Sequence, residues 1–132
     1  MMQAAGTKKV EFKKIATQFV VEDVVATAEY YRDILGFEIL GFFADPPVYA
    51  MVARQGVEMH FGKADTRPTD VTNTQFRRVG FDAYIWVDDI PLLFDELSAS
   101  GADIIEGPVK RIYESNEIVI RDLNGFVLVF GD

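Results

Sequence analysis

The sequence contains no cysteine and only one histidine and one tryptophan in 132 residues. The missing cysteine removes disulfides, thiolate metal ligands and a cysteine nucleophile together. With His60 as its only histidine, one chain cannot by itself supply several imidazoles to a metal. Positive charge is scarce: 13 Lys and Arg face 21 Asp and Glu, for a formal net charge of −8. A nucleic-acid binder needs a basic face to neutralise phosphates, and Arg77-Arg78, the only adjacent arginine pair, does not make one. No apolar run approaches the ~20 residues of a membrane span. Met1 to Lys9 has two lysines and no apolar stretch behind it, so it reads as a short flexible arm rather than a secretion signal. The expected location is the cytoplasm. Hydrophobic residues at 49% and charged residues at 26% are the proportions of one folded, non-membrane domain.

What the chain does have is a repetition. Val21-Glu22-Asp23-Val24 and Val87-Asp88-Asp89-Ile90 share a setting: each follows strand-like alternation and precedes an amphipathic stretch closed by glycine, Gly36 and Gly101. The copies also end alike, with Gly56-Val57-Glu58-Met59-His60-Phe61-Gly62 matching Gly125-Phe126-Val127-Leu128-Val129-Phe130-Gly131. Two equivalent half-sheets bury their apolar faces by pairing, and pairing creates a cleft.

In the first unit, Phe12 to Val21 reads as a strand, with Ile15, Thr17, Phe19 and Val21 on one face and Lys14, Ala16, Gln18 and Val20 on the other. Asp23 is the expected cap of a helix whose stripe is Val24, Ala28, Tyr31 and Leu35. Strands are predicted over 37–43, 48–53 and 57–61, broken by Asp45-Pro46-Pro47 and Gln55-Gly56. Residues 63–79 lack a period and read as a linker. The second unit predicts a strand over 81–87, then a helix capped by Asp89, with Pro91 in its first turn and Ile90, Phe94 and Leu97 as its stripe. Strands over 102–106, 117–121 and 126–131 follow, the last two joined by a turn at 122–125. The expected fold is α+β: two tandem βαβββ modules, about 12–62 and 80–132, joined by the linker 63–79.

Val21-Glu22-Asp23 followed by Tyr31-Arg32-Asp33-Ile34-Leu35-Gly36-Phe37, and Val87-Asp88-Asp89 followed at the far end by Asp122-Leu123-Asn124-Gly125, carry a likeness. The chain resembles the glyoxalase, bleomycin-resistance and extradiol dioxygenase superfamily, also called vicinal oxygen chelate proteins. The resemblance implies curved mixed sheets forming a concave cleft, commonly completed by a homodimer with exchanged modules. The same scaffold hosts lyases, isomerases, oxygenases and plain drug-binding proteins, so fold alone does not assign activity.

Metal-dependent members place His, Glu or Gln ligands on the first and last strands of each module. Here those positions correspond to Ala16, His60, Asp82 and Val129. Two are apolar, and a catalytic divalent site normally keeps three protein ligands, so a metal of the family type is not expected. If zinc, nickel, manganese or iron were held, His60, Asp82 and Glu58 would be its ligands, within one chain or across a dimer.

Strand alternation extends the cleft lining to Gln18, Glu58, His60, Asp82, Tyr84 and Trp86, with mostly apolar residues on the opposite faces. Carboxylates beside aromatic faces suit a cationic or planar ligand. Tyr84 and Trp86 equally suit a dimer interface. Glu58 or Asp82 with His60 could serve as an acid and base pair. Glu114, Asn116 and Glu117 read either as a loop closing over the cleft or as an exposed polar turn. Three readings remain open. One is a metal-independent small-molecule-binding protein of the bleomycin-resistance-like type, sequestering an aromatic or cationic ligand. A second is a divalent-metal lyase, isomerase or dioxygenase of the glyoxalase type, and a third is a dimerising module without ligand.

Overall fold

The computed structural model describes residues 7–66 and 72–132. The expected arm at 1–9 and linker at 63–79 therefore lie partly outside the described residues.

Alternation in β1 (Ala16–Val21) turns Phe19 and Val21 inward and leaves Gln18 and Val20 outward. The Asp23 carboxylate then accepts from the Ala26 N–H at 3.0 Å and opens α1 (Val24–Asp33), whose buried residues are Val24, Thr27, Ala28 and Tyr31. Strands β2 (Glu38–Phe43), β3 (Tyr49–Arg54) and β4 (Val57–Lys63) complete the first module. The second repeats the plan with β5 (Ala83–Trp86), α2 (Ile90–Ser100), β6 (Asp103–Lys110), β7 (Asn116–Arg121) and β8 (Val127–Gly131). Asp89 caps α2 through the Leu92 N–H at 3.0 Å. Gly101 ends it at φ 85, a left-handed conformation that suits a residue without Cβ.

The sheets run β1-β4-β3-β2 and β5-β8-β7-β6. In each, the first strand pairs with the last in parallel and the other pairs are antiparallel, so the helix is part of a crossover. Both sheets remain open rather than closing into a barrel.

Three expectations need correction. β1 begins at Ala16, not Phe12, because β4 starts at Val57 and Ala16 pairs with Glu58, which leaves no strand for earlier residues; Phe12 and Ile15 stay exposed. In α2 the inward side chain is Leu93, with Phe94 only half-buried, because Ile90, Leu93 and Leu97 form the tighter stripe. β6 runs on to Lys110 instead of stopping at 106, accommodated by register shifts against β7.

One apolar core spans both modules. The Phe19 ring stacks on Phe126 at 4.1 Å, and Tyr31 lies 4.8 Å from Phe61. Each helix also bonds to the opposite module. The Tyr31 hydroxyl donates to Asp122 at 2.7 Å, and Asn124 Nδ2 donates to the Thr27 hydroxyl at 3.0 Å. Arg54 forms a two-pronged pair with Glu96 at 2.6 and 2.9 Å, and the Ser100 hydroxyl reaches the Ile34 carbonyl at 2.7 Å. The tandem modules therefore make one unit, with the sheet faces away from the helices left for function.

Candidate functional site

In module one, β1 and β4 align Ala16 with Glu58 and Gln18 with His60, while β3 aligns Tyr49 with Gly62. This register assembles a hydrogen-bonded chain. Lys14 Nζ donates to Glu58 Oε1 at 2.6 Å, and Glu58 Oε2 lies 2.6 Å from His60 Nε2. His60 Nδ1 is 2.8 Å from the Tyr49 hydroxyl, and Gln18 Nε2 approaches that oxygen at 3.5 Å. The bonds from Lys14 and then His60 hold the Glu58 carboxyl below its usual range. A Cβ at Gly62 would make ordinary van der Waals contact with Gln18 and Tyr49, at 3.5 and 3.7 Å, so the cluster does not depend on a glycine there.

Module two places other chemistry at the same positions. Tyr84 aligns with Val129 as Gln18 does with His60, and Glu117 aligns with Gly131 as Tyr49 does with Gly62. Val119, Val127 and Val129 form a small apolar cluster against Tyr84. Glu117 is buried, so it is neither an exposed turn residue nor part of a loop over the cleft. Its Oε1 accepts from Arg111 Nε at 2.8 Å, and its Oε2 from the Tyr84 and Tyr113 hydroxyls, each at 2.6 Å. Burial pushes this carboxyl up, but the three donors outweigh it and hold the group below its usual range. Arg111 also grips Glu106 at 2.7 Å, and its guanidinium is shifted up by Glu106 and then Glu117. Tyr84 packs against Trp86 at 4.6 Å and Phe81 at 5.6 Å, leaving Trp86 73% exposed. A Cβ at Gly131 would collide with the Tyr84 hydroxyl, so this glycine clears the path from Tyr84 to Glu117.

The six residues expected in the cleft thus fall into groups. Gln18, Glu58 and His60 share one network, and Tyr84 and Trp86 share another. Asp82 stands between them, accepting from the Asn73 N–H at 2.7 Å and the Val127 N–H at 2.8 Å, which ties the end of the linker to β8. Gln18 and Asp82 both line a cavity of about 430 Å³ between β1 and the start of module two. Among the described residues, no hydrogen bond or ring contact joins the first group to the second. Lys14 was placed on the correct face by alternation but not assigned a role. Tyr49, Arg111 and Tyr113 were not anticipated; Gly131, whose Cβ would collide with the Tyr84 hydroxyl, is the sequence signal for the Tyr84–Glu117 contact alone.

The sequence model of the Glyoxalase/Bleomycin resistance protein/Dioxygenase superfamily matches residues 15–130. The chain belongs to this superfamily. Its fold is shared with TioX from Micromonospora sp. ML1, at 17% identity and TM-score 0.72 over 91% of this chain and 98% of that one. It is also similar to the bleomycin-binding protein from bleomycin-producing Streptomyces verticillus, a structure complexed with copper(II)-bleomycin. That likeness has 20% identity and TM-score 0.70 over 92% and 97% of the two chains. UcmS2 is similar at 22% identity and TM-score 0.70, covering 93% and 99%. No curated protein matches the sequence. Among the described residues, no helix is long and apolar enough to cross a membrane.

The metal positions of the superfamily are poorly suited to an ion here. Ala16 offers no donor, and Val129 is buried in the valine cluster. Both ring nitrogens of His60 and both oxygens of Asp82 already have protein partners. Among the described residues, no three His, Cys, Asp or Glu side chains are grouped to hold a metal. The residues present do not fit the group.

Proposed function

We propose that the protein is a metal-independent small-molecule-binding protein of the bleomycin-resistance-like type, which sequesters an aromatic or cationic compound. The observation that carries this reading is the exposed Trp86 ring, braced by Tyr84 beside the buried Glu117 carboxylate. An exposed indole held in place by a neighbouring ring is a ready platform for planar groups and cations. The likeness to a bleomycin-binding protein supports a ligand-binding role for the scaffold.

A cleft lined by both sheet faces calls for a second copy, because within one chain no hydrogen bond or ring contact among the described residues joins the two networks. The proposed assembly is therefore a homodimer, in the cytoplasm. The Glu58–His60–Tyr49 chain favours acid–base catalysis as a second reading, since a carboxylate, an imidazole and a hydroxyl are held in sequence. Metal analysis of the purified protein, with thermal unfolding in added zinc, nickel, manganese and iron, separates binding from a metal enzyme. The proposal predicts substoichiometric metal and no shift. Stoichiometric metal that disappears in His60→Ala contradicts it.

A further inference from the structure

The chain of bonds in module one fixes which way each proton points. The Glu58 carboxylate only accepts, and both its oxygens are engaged, by Lys14 and His60. His60 Nε2 is therefore a donor, and in the neutral imidazole Nδ1 is left with a lone pair and no proton. The Tyr49 hydroxyl, 2.8 Å from Nδ1, gives its single proton to it. Its oxygen retains acceptor capacity toward the open face, where Gln18 Nε2 reaches it only at 3.5 Å.

We propose that Tyr49 is the specificity-determining residue of this face, and that it selects cations carrying an N–H group, primary or secondary ammonium, over quaternary ammonium. The inference rests on the reading of the protein as a binder of aromatic or cationic compounds and names the class of cation. An N–H of an ammonium group delivers a charge-assisted bond to the phenolic oxygen, whereas a trimethylammonium offers only methyl groups. A ligand carbonyl would set lone pair against lone pair. Because Lys14 already faces Glu58, discrimination comes from bond direction more than from net charge. The Trp86 ring works differently, since an indole face attracts a cation with or without N–H.

The test is calorimetric titration at pH 8 of the wild-type protein with 2-phenylethylamine and with its N,N,N-trimethyl derivative. Binding of the primary ammonium about tenfold tighter or more is expected, the worth of one hydrogen bond to a charged group. In Tyr49→Phe the two probes should bind within about twofold of each other, and His60→Ala, which frees the Tyr49 proton to point outward, should also shrink the preference. Equal affinities in the wild type, or a preference that survives Tyr49→Phe, overturn the inference while leaving the small-molecule reading intact. Binding of neither probe counts against that reading and the inference together. The wild-type comparison needs no variant to fold.

Discussion

His60 and Val129 occupy equivalent register positions in the two modules, yet one sits within a polar chain from Lys14 to Gln18 and the other within a cluster of valines. The carboxylate moves with them. In module one it lies on β4 as Glu58, bonded to partly exposed partners; in module two it lies on β7 as Glu117, buried beneath Arg111, Tyr84 and Tyr113. On the side facing the helices the modules agree in the capping aspartates and in the inward pair Phe61 and Phe130, each beside an apolar first-strand residue, Phe19 and Ile85. Packing under a helix admits few solutions, whereas an open sheet face can exchange its polar groups without disturbing the core. The connections differ too. Gln55-Gly56 makes a tight turn in module one, while module two has a longer turn that carries Asp122 across to Tyr31.

Removing the counter-charge from each module should separate them most widely. Arg111→Ala leaves the buried Glu117 carboxylate with two neutral donors. It should cost about 3 kcal/mol in urea unfolding, the low end for breaking a buried pair because Arg111 is itself partly exposed. Lys14→Ala strips only an exposed partner and should leave the same transition unchanged. Equal losses in the two variants would erase the distinction between a buried and an open centre.

Tyr31→Phe tests the longer turn. It removes one of three donors to the buried Asp122, the others being the Asn124 and Phe126 N–H groups, and should destabilise by about 1–3 kcal/mol. Gln55→Ala, in the short turn, should change stability much less.

The pH dependence sharpens the contrast within module two. Glu117 is held below its usual range, so its contribution is present above the unfolded carboxylate value and is lost as pH falls through the folded one. Asp122 is pushed up by burial, so its contribution is fully present in acid and is lost as pH rises through the raised value. Glu117→Gln should therefore flatten the loss of stability below about pH 4, and Asp122→Asn should reduce the loss on going from about pH 4 toward neutrality, as read from unfolding free energies across that range.

Much of the fold was legible because it depends on local chemistry. Asp23 and Asp89 announce their helices by capping, Gly101 ends one, and alternation assigns the faces of β1 and β5. The start of β1 was not legible, because strand length depends on the partner and β4 is short at that end. Half of the site escaped for the same reason. Alternation finds the neighbours of Glu58 along its own strand, but Tyr49 reaches His60 from the next strand, and Glu117 meets Tyr84 across β8, pairings set by sheet order. Phe94 and Leu93 both fit a helical stripe with Ile90 and Leu97, and only packing chooses Leu93 as the inward residue.

The central claim is that the open faces capture an aromatic or cationic compound without a metal. Trp86 is the only tryptophan, so its emission reports that event directly. Titration of chelator-treated protein with 2-phenylethylamine should give a saturable change in Trp86 fluorescence that added zinc, nickel, manganese or iron leaves unaltered. An unchanged emission throughout the titration, or a response that appears only after metal is restored, would contradict the account.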